Sequence, residues 1–73
     1  MSGEFIEMEG TVTRTHRGDA YECACEIGAL RRTVLCKRGG RLNQHHIRLT
    51  VGDRVRVEVS PYDTTRGRIT RRL

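Results

Sequence analysis

The stretch Val51-Gly52-Asp53-Arg54-Val55-Arg56-Val57-Glu58-Val59-Ser60-Pro61-Tyr62-Asp63-Thr64-Thr65-Arg66-Gly67-Arg68-Ile69 decides how this chain folds. Val55, Val57 and Val59 alternate with Arg54, Arg56 and Glu58, the period of two that describes a strand with one dry and one wet face. Gly52-Asp53 ahead of it suits a tight turn, because glycine tolerates positive φ. Pro61 has no N–H to give to a ladder, so Ser60-Pro61-Tyr62-Asp63 must end the strand. A second short run starts at Gly67, with Arg66, Arg68, Arg71 and Arg72 in or beside it. One antiparallel pair is therefore expected to carry both a core face and a dense cationic face.

Working outward, Met1–Phe5 reads as a loose tail. A first strand is expected from Ile6 to Thr15, with Ile6, Met8, Gly10 and Val12 at period two. Gly10 inside it marks a bulge or a point of close backbone approach. His16-Arg17-Gly18-Asp19 is a hairpin turn, and Tyr21, Cys23 and Cys25 then give a second strand a clear inner face. After a turn at Ile27-Gly28-Ala29-Leu30, a third strand covers Arg32 to Cys36. Lys37 to His46 breaks the pattern. Gly39-Gly40 opens it, and Arg41-Leu42-Asn43-Gln44 suits one helical turn, with no apolar 3.6-residue stripe to extend it. Ile47-Arg48-Leu49 leads back to the Gly52 turn. Five short strands with a short helix or 3₁₀ turn between the third and fourth predict an all-β fold, a five-stranded OB-fold barrel. A small SH3-like barrel fits the strand pattern too, but the position of the helical link favours the OB-fold.

The 73 residues make one small domain with a modest core. Three cysteines cannot form a fully paired disulfide framework, which points to a reducing cytoplasm. No apolar run is long enough for a signal peptide or a membrane span, so a soluble, cytoplasmic monomer is expected. Residues 1–30 carry Arg14 and Arg17 against six carboxylates, whereas residues 31–73 carry twelve basic side chains against three. Such a polar chain orients in the field of a polyanion. Of the fourteen basic residues only Lys37 is lysine, and the arginine fork matches phosphate bidentately. Nucleic acid is the partner this favours over an ordinary solvated charged surface.

Arg41, Arg48, Arg54, Arg56, Arg66, Arg68, Arg71 and Arg72 form the candidate phosphate-binding set. His45 and His46 beside it suit hydrogen bonding or stacking on RNA as well as they suit a plain surface. Phe5, Tyr21 and Tyr62 are the only aromatics, and Tyr21 falls on the core face, so the chain lacks the stacking platform of a generic single-strand binder. Cys23 and Cys25 with His45-His46 invite a zinc reading, but structural zinc uses Cys-x₂₋₄-Cys spacing, and two cysteines on one inner face read as small core hydrophobes. Cys36 reads the same way. Asp53, Asp63 and Ser60 sit in turns without a catalytic motif. Neither an enzyme nor a cofactor is expected.

Three blocks of this sequence resemble bacterial translation initiation factor one. Ile6-Glu7-Met8-Glu9-Gly10-Thr11-Val12 is similar to that family's opening strand. Gly40-Arg41-Leu42-Asn43-Gln44-His45-His46-Ile47-Arg48-Leu49 is similar to its helical link. Gly52-Asp53 through Ser60-Pro61-Tyr62-Asp63 to Arg66-Gly67-Arg68-Ile69 is the most specific block. The resemblance implies a non-enzymatic OB-fold factor that binds the A-site region of the small ribosomal subunit. It would touch ribosomal RNA and a neighbouring ribosomal protein, and act with the other two initiation factors. By position Arg41 matches the family's link lysine, Arg48, Arg66 and Arg68 match basic positions close to RNA, and Tyr62 matches the aromatic of the Pro-Tyr-Asp turn. Resemblance and charge reading together give the expected RNA-binding set Arg41, His45, His46, Arg48, Tyr62, Arg66, Arg68 and Arg71. Asn43-Gln44 replaces an Arg-Lys pair, His46 an aromatic, and Val51 a proline. The second hairpin, Glu26 to Thr33, is longer than the family's and carries Arg31-Arg32. These departures also fit a divergent copy. A non-ribosomal OB-fold RNA-binding module or RNA chaperone is the alternative.

Overall fold

In the computed structural model, which describes residues 4–40 and 48–73, five strands run in the order β1 (Ile6–His16), β2 (Ala20–Ile27), β3 (Leu30–Arg38), β4 (Arg54–Ser60) and β5 (Asp63–Arg72). They close into a barrel with the neighbour order β1-β2-β3-β5-β4. All pairings are antiparallel except β3 with β5, which is parallel. This architecture is that of the expected OB-fold. The expected helical turn falls on residues 41–47 and lies outside the described residues.

The alternation seen in the sequence sets the core. Val55, Val57 and Val59 on β4 face inward with Met8 and Val12 on β1, Cys23 and Cys25 on β2, Val34 and Cys36 on β3, and Ile69 on β5. Tyr21 and Leu49 complete the cluster. All three cysteines are reduced and buried, as their inner-face spacing implied.

β1 is the strand that turns the barrel. It pairs with β2 on one side and β4 on the other, and Gly10 is in register with both Cys25 and Val55. A Cβ at Gly10 would lie 2.7 Å from Cys25 Sγ and 2.9 Å from the Ala24 carbonyl oxygen. Gly10 is thus the point of close approach, and the bulge falls between Val12 and Arg14. The β1–β2 turn places both Gly18 and Asp19 at positive φ. The β2–β3 hairpin closes tightly on Gly28 and Ala29, because Ile27 already pairs with Leu30.

β5 differs from the sequence expectation. It begins at Asp63, well before Gly67. Its inward positions ahead of Ile69 carry no large apolar side chain, so hydrophobic alternation is silent there. Hydrogen bonding to β3 on one flank and β4 on the other makes it a strand. Gly67 lets it close against β4, where an added Cβ would sit 2.7 Å from Val57 Cγ1.

Candidate nucleic-acid interface

The outer face of β3, β5 and β4 carries the cations that the sequence singled out. Inward Val34 and Cys36 force Leu35 and Lys37 outward on β3. The parallel register then sets Leu35 beside Arg66 and Lys37 beside Arg68. A register shift between Arg56 and Val57 inserts one residue of β5 and brings Arg71 opposite Arg56. Thr70, the inserted residue, donates its hydroxyl to the Arg56 carbonyl oxygen at 3.4 Å. Arg56, Arg68 and Arg71 thereby come to line one open cleft of about 610 Å³, shared with Glu7, Glu58 and Gly39-Gly40.

The arginines on this surface are not equivalent. Arg68 Nη2 donates to Glu58 Oε1 at 2.9 Å, and its guanidinium lies 5.8 Å from the centroid of the Phe5 ring. Arg54 sits 3.3 Å from Glu9 and 3.6 Å from Glu26, and also donates to the Thr11 hydroxyl. Arg56 is 3.7 Å from Glu9. Arg66, Arg71 and Lys37 make no ion pair among the described residues. The division between an acidic first half and a basic second half therefore disappears in space along one seam. There β1 lies against β4, so Glu9 meets Arg54 and Arg56. Among the described residues, Lys37, Arg66 and Arg71 lie on β3 and β5 away from that seam and keep no carboxylate partner within ion-pair distance.

Other predicted positions lie elsewhere on the barrel. Arg48 is exposed, and its carbonyl accepts a hydrogen bond from Arg72 Nη1 at 3.1 Å, which ties the segment before β4 to the end of β5. Tyr62 is 96% exposed on the β4–β5 turn, far from the Arg71 end of the strand. Its backbone N–H donates to Ser60 Oγ at 3.1 Å. Arg41, His45 and His46 lie outside the described residues.

Beside Tyr62, the Thr65 hydroxyl and N–H both donate to the Asp63 carboxylate. Those two bonds, helped by the positive charge of Arg66, hold Asp63 below its ordinary carboxylate range. Sequence reasoning missed Lys37 and Phe5. Lys37 is legible as an outward residue, but only the β3–β5 pairing reveals that it neighbours Arg68. Phe5, which the sequence places in the tail, sits by the Arg68 guanidinium.

Among the described residues no three His, Cys, Asp or Glu side chains are placed to hold a metal ion. Burial, reinforced by its thiol neighbour, pushes the Cys25 thiol up to about 11. Cys36, in contact with Cys23 and 3.6 Å from the Val34 carbonyl oxygen, is also raised. Also among the described residues, no helix is long and apolar enough to cross a membrane.

No protein-family model matches the chain. Solved structures do. The chain is similar to YjeQ from Thermotoga maritima, with 25% identity and a TM-score of 0.71 over 93% of this chain but only 23% of that one. It is also similar to the solution structure of translation initiation factor one from the Wolbachia endosymbiont strain TRS of Brugia malayi. There the TM-score is 0.74 and the identity 34%, over 94% of this chain and 78% of that chain. A shared five-stranded barrel and one residue in three alike along nearly the whole length place this chain in the family of translation initiation factor one.

Proposed function

We propose that this chain acts as an initiation factor, a cytoplasmic monomer that binds the A-site region of the small ribosomal subunit through ribosomal RNA. It supports assembly of the initiation complex with the other initiation factors, beside a neighbouring ribosomal protein. The observation that carries the reading is the β3–β5 face, where Lys37, Arg66 and Arg71 stand free of ion pairs among the described residues and flank Arg68. Exposed guanidinium forks without carboxylate partners are the groups that neutralise phosphates and release counterions. Family membership supplies the ribosomal context.

Two exposed aromatics, Phe5 and Tyr62, make no stacking platform, so recognition rests on RNA backbone and shape. His45, His46 and Arg41 belong to the same proposed surface through their place in the link. Cosedimentation with purified subunits tests this. The protein should pellet with small subunits and not with large ones. Equal binding to both, or to free unstructured RNA alone, would favour a general RNA-binding module.

A further inference from the structure

Arg68 is held on three sides in the free protein. Its stem lies across Gly39, where an added Cβ would come within 3.3 Å of Arg68 Cγ and 3.4 Å of Arg68 Cδ. Its Nη2 donates to Glu58 Oε1 at 2.9 Å. The third side is Phe5, with Arg68 Cζ over its ring. Strand parity brings them together. Glu7, Glu58 and Arg68 are in register across β1, β4 and β5. Phe5, two residues before Glu7, is the next outward position along the line of β1. It is 51% exposed and takes no part in the core cluster, against which its neighbour Ile6 packs instead. Core packing therefore does not account for this phenylalanine, and its partner is the arginine.

Glu58 and Phe5 differ in what they leave open to a phosphate. A guanidinium has five N–H donors in a fixed fork. Glu58 occupies one of them, so Glu58 and a phosphate exclude each other at Nη2. The Phe5 ring occupies none, because a ring face attracts the cation through its quadrupole. At 5.8 Å from the centroid the guanidinium is within the range of that attraction, about 6 Å. A phosphate can thus displace Glu58 while Phe5 stays in place. Without the ring, an arginine released from Glu58 regains rotamer freedom that the phosphate contact must remove again.

We infer that Phe5 is a positioning residue of the RNA interface: its ring holds the Arg68 guanidinium in place while a phosphate of ribosomal RNA takes over the donor that Glu58 occupies. This rests on the proposed function and adds to it a residue from outside the cationic strands. Phe5 and Glu58 then act on Arg68 with opposite sign, the ring favouring RNA binding and the carboxylate opposing it.

The test is a binding cycle on purified small subunits with Phe5→Leu, Phe5→Tyr, Arg68→Ala and the Phe5→Leu, Arg68→Ala double variant of the full chain. Phe5→Leu keeps apolar bulk and removes the ring, so it should weaken binding by roughly two- to tenfold. Phe5→Tyr keeps the ring face and should bind as wild type does. In the Arg68→Ala background Phe5→Leu should cost nothing further, because the ring acts through Arg68. Melting temperatures of the two Phe5 variants should match wild type. Phe5→Leu binding as tightly as wild type would show the ring to be idle, and an equal loss with and without Arg68 would show Phe5 acting by itself. Either result overturns the inference, as does an affinity loss matched by a fall in melting temperature, or an Arg68→Ala protein that binds like wild type. All of these leave the other cations of the RNA face standing. Failure of the wild-type chain to bind small subunits would overturn the proposed function as well.

Discussion

Gly67→Ala puts the barrel's closure to a quantitative test. Gly67 lies between Arg66 and Arg68, with its Cα turned toward β4. A methyl there would meet Val57 Cγ1 at 2.7 Å, the Glu58 carbonyl oxygen at 2.9 Å and Val59 Cγ1 at 2.9 Å. Unstrained carbon pairs sit about 3.5–4.0 Å apart, so all three contacts are repulsive. Relief by the valines is blocked. Val57 and Val59 are 0% and 1% exposed, and branching at Cβ restricts their rotamers. The Glu58 oxygen belongs to the backbone. β5 must therefore move outward from β4.

Overpacking of this kind costs about 1–3 kcal/mol. Loss of glycine's freedom in the unfolded chain returns about 0.4–1 kcal/mol. The net is a destabilisation of about 1–2 kcal/mol, which for a domain of this size lowers the melting temperature by roughly 4–16 °C. Val57→Ala alone also destabilises, by about 1–3 kcal/mol, because it leaves a cavity. In the double variant the new methyl occupies that cavity, so the two effects should fall short of additivity by ~1 kcal/mol. Thermal melts and urea titrations of the four proteins give the cycle. A Gly67→Ala protein as stable as wild type, or strict additivity, would refute the packing described here.

On the cationic face, Arg66→Ala should weaken binding to small subunits by ~1–3 kcal/mol with the fold intact, and Arg68→Ala by less, since Glu58 already engages Arg68. Glu58→Gln should accordingly tighten binding by up to ~1 kcal/mol, and a competition assay that ranks these variants otherwise would contradict the assignment. Asp63 has a depressed folded-state pKa, so its stabilising contribution is present above its unfolded value of about 3.9 and disappears as pH falls through the folded value. Melting of Asp63→Asn should thus vary less with pH below about 4 than melting of wild type. Cys25, with its thiol near 11, and buried Cys36 should resist iodoacetamide at about pH 8 in the folded protein and react at once in urea; native labelling at the rate of a free thiol would disprove their burial.

The legible parts of the fold were those written in local periodicity. Val55, Val57 and Val59 announced β4, and Tyr21, Cys23 and Cys25 announced β2 and the core role of the cysteines. The start of β5 was hidden because Gly67 and the residues before it contribute no apolar beat. Strand-to-strand register leaves no local trace, and two consequences of it were invisible. Parallel pairing of β3 with β5 puts Lys37 beside Arg68. Pairing of β1 with β4 puts Glu9 against Arg54 and Arg56, which removes two arginines from a set that sequence alone could only treat as one. The charge asymmetry between halves of the chain does not say which cations stay unpaired in space, because β1 lies against β4. For the link residues Arg41, His45 and His46 the sequence resemblance alone carries the assignment.

The central claim is that the β3–β5 face binds the phosphates of ribosomal RNA, and salt dependence tests it most directly. Affinity for purified small subunits should be measured from about 50 to 200 mM monovalent salt for wild type and for the Lys37→Ala, Arg66→Ala, Arg71→Ala variant. Engagement of Lys37, Arg66, Arg68 and Arg71 predicts a log–log slope of roughly −3, a fall of about 60-fold over that range. The triple variant should bind weakly, with a slope near about −1. A wild-type affinity that does not change with salt, or a triple variant that keeps the wild-type slope, would contradict the account.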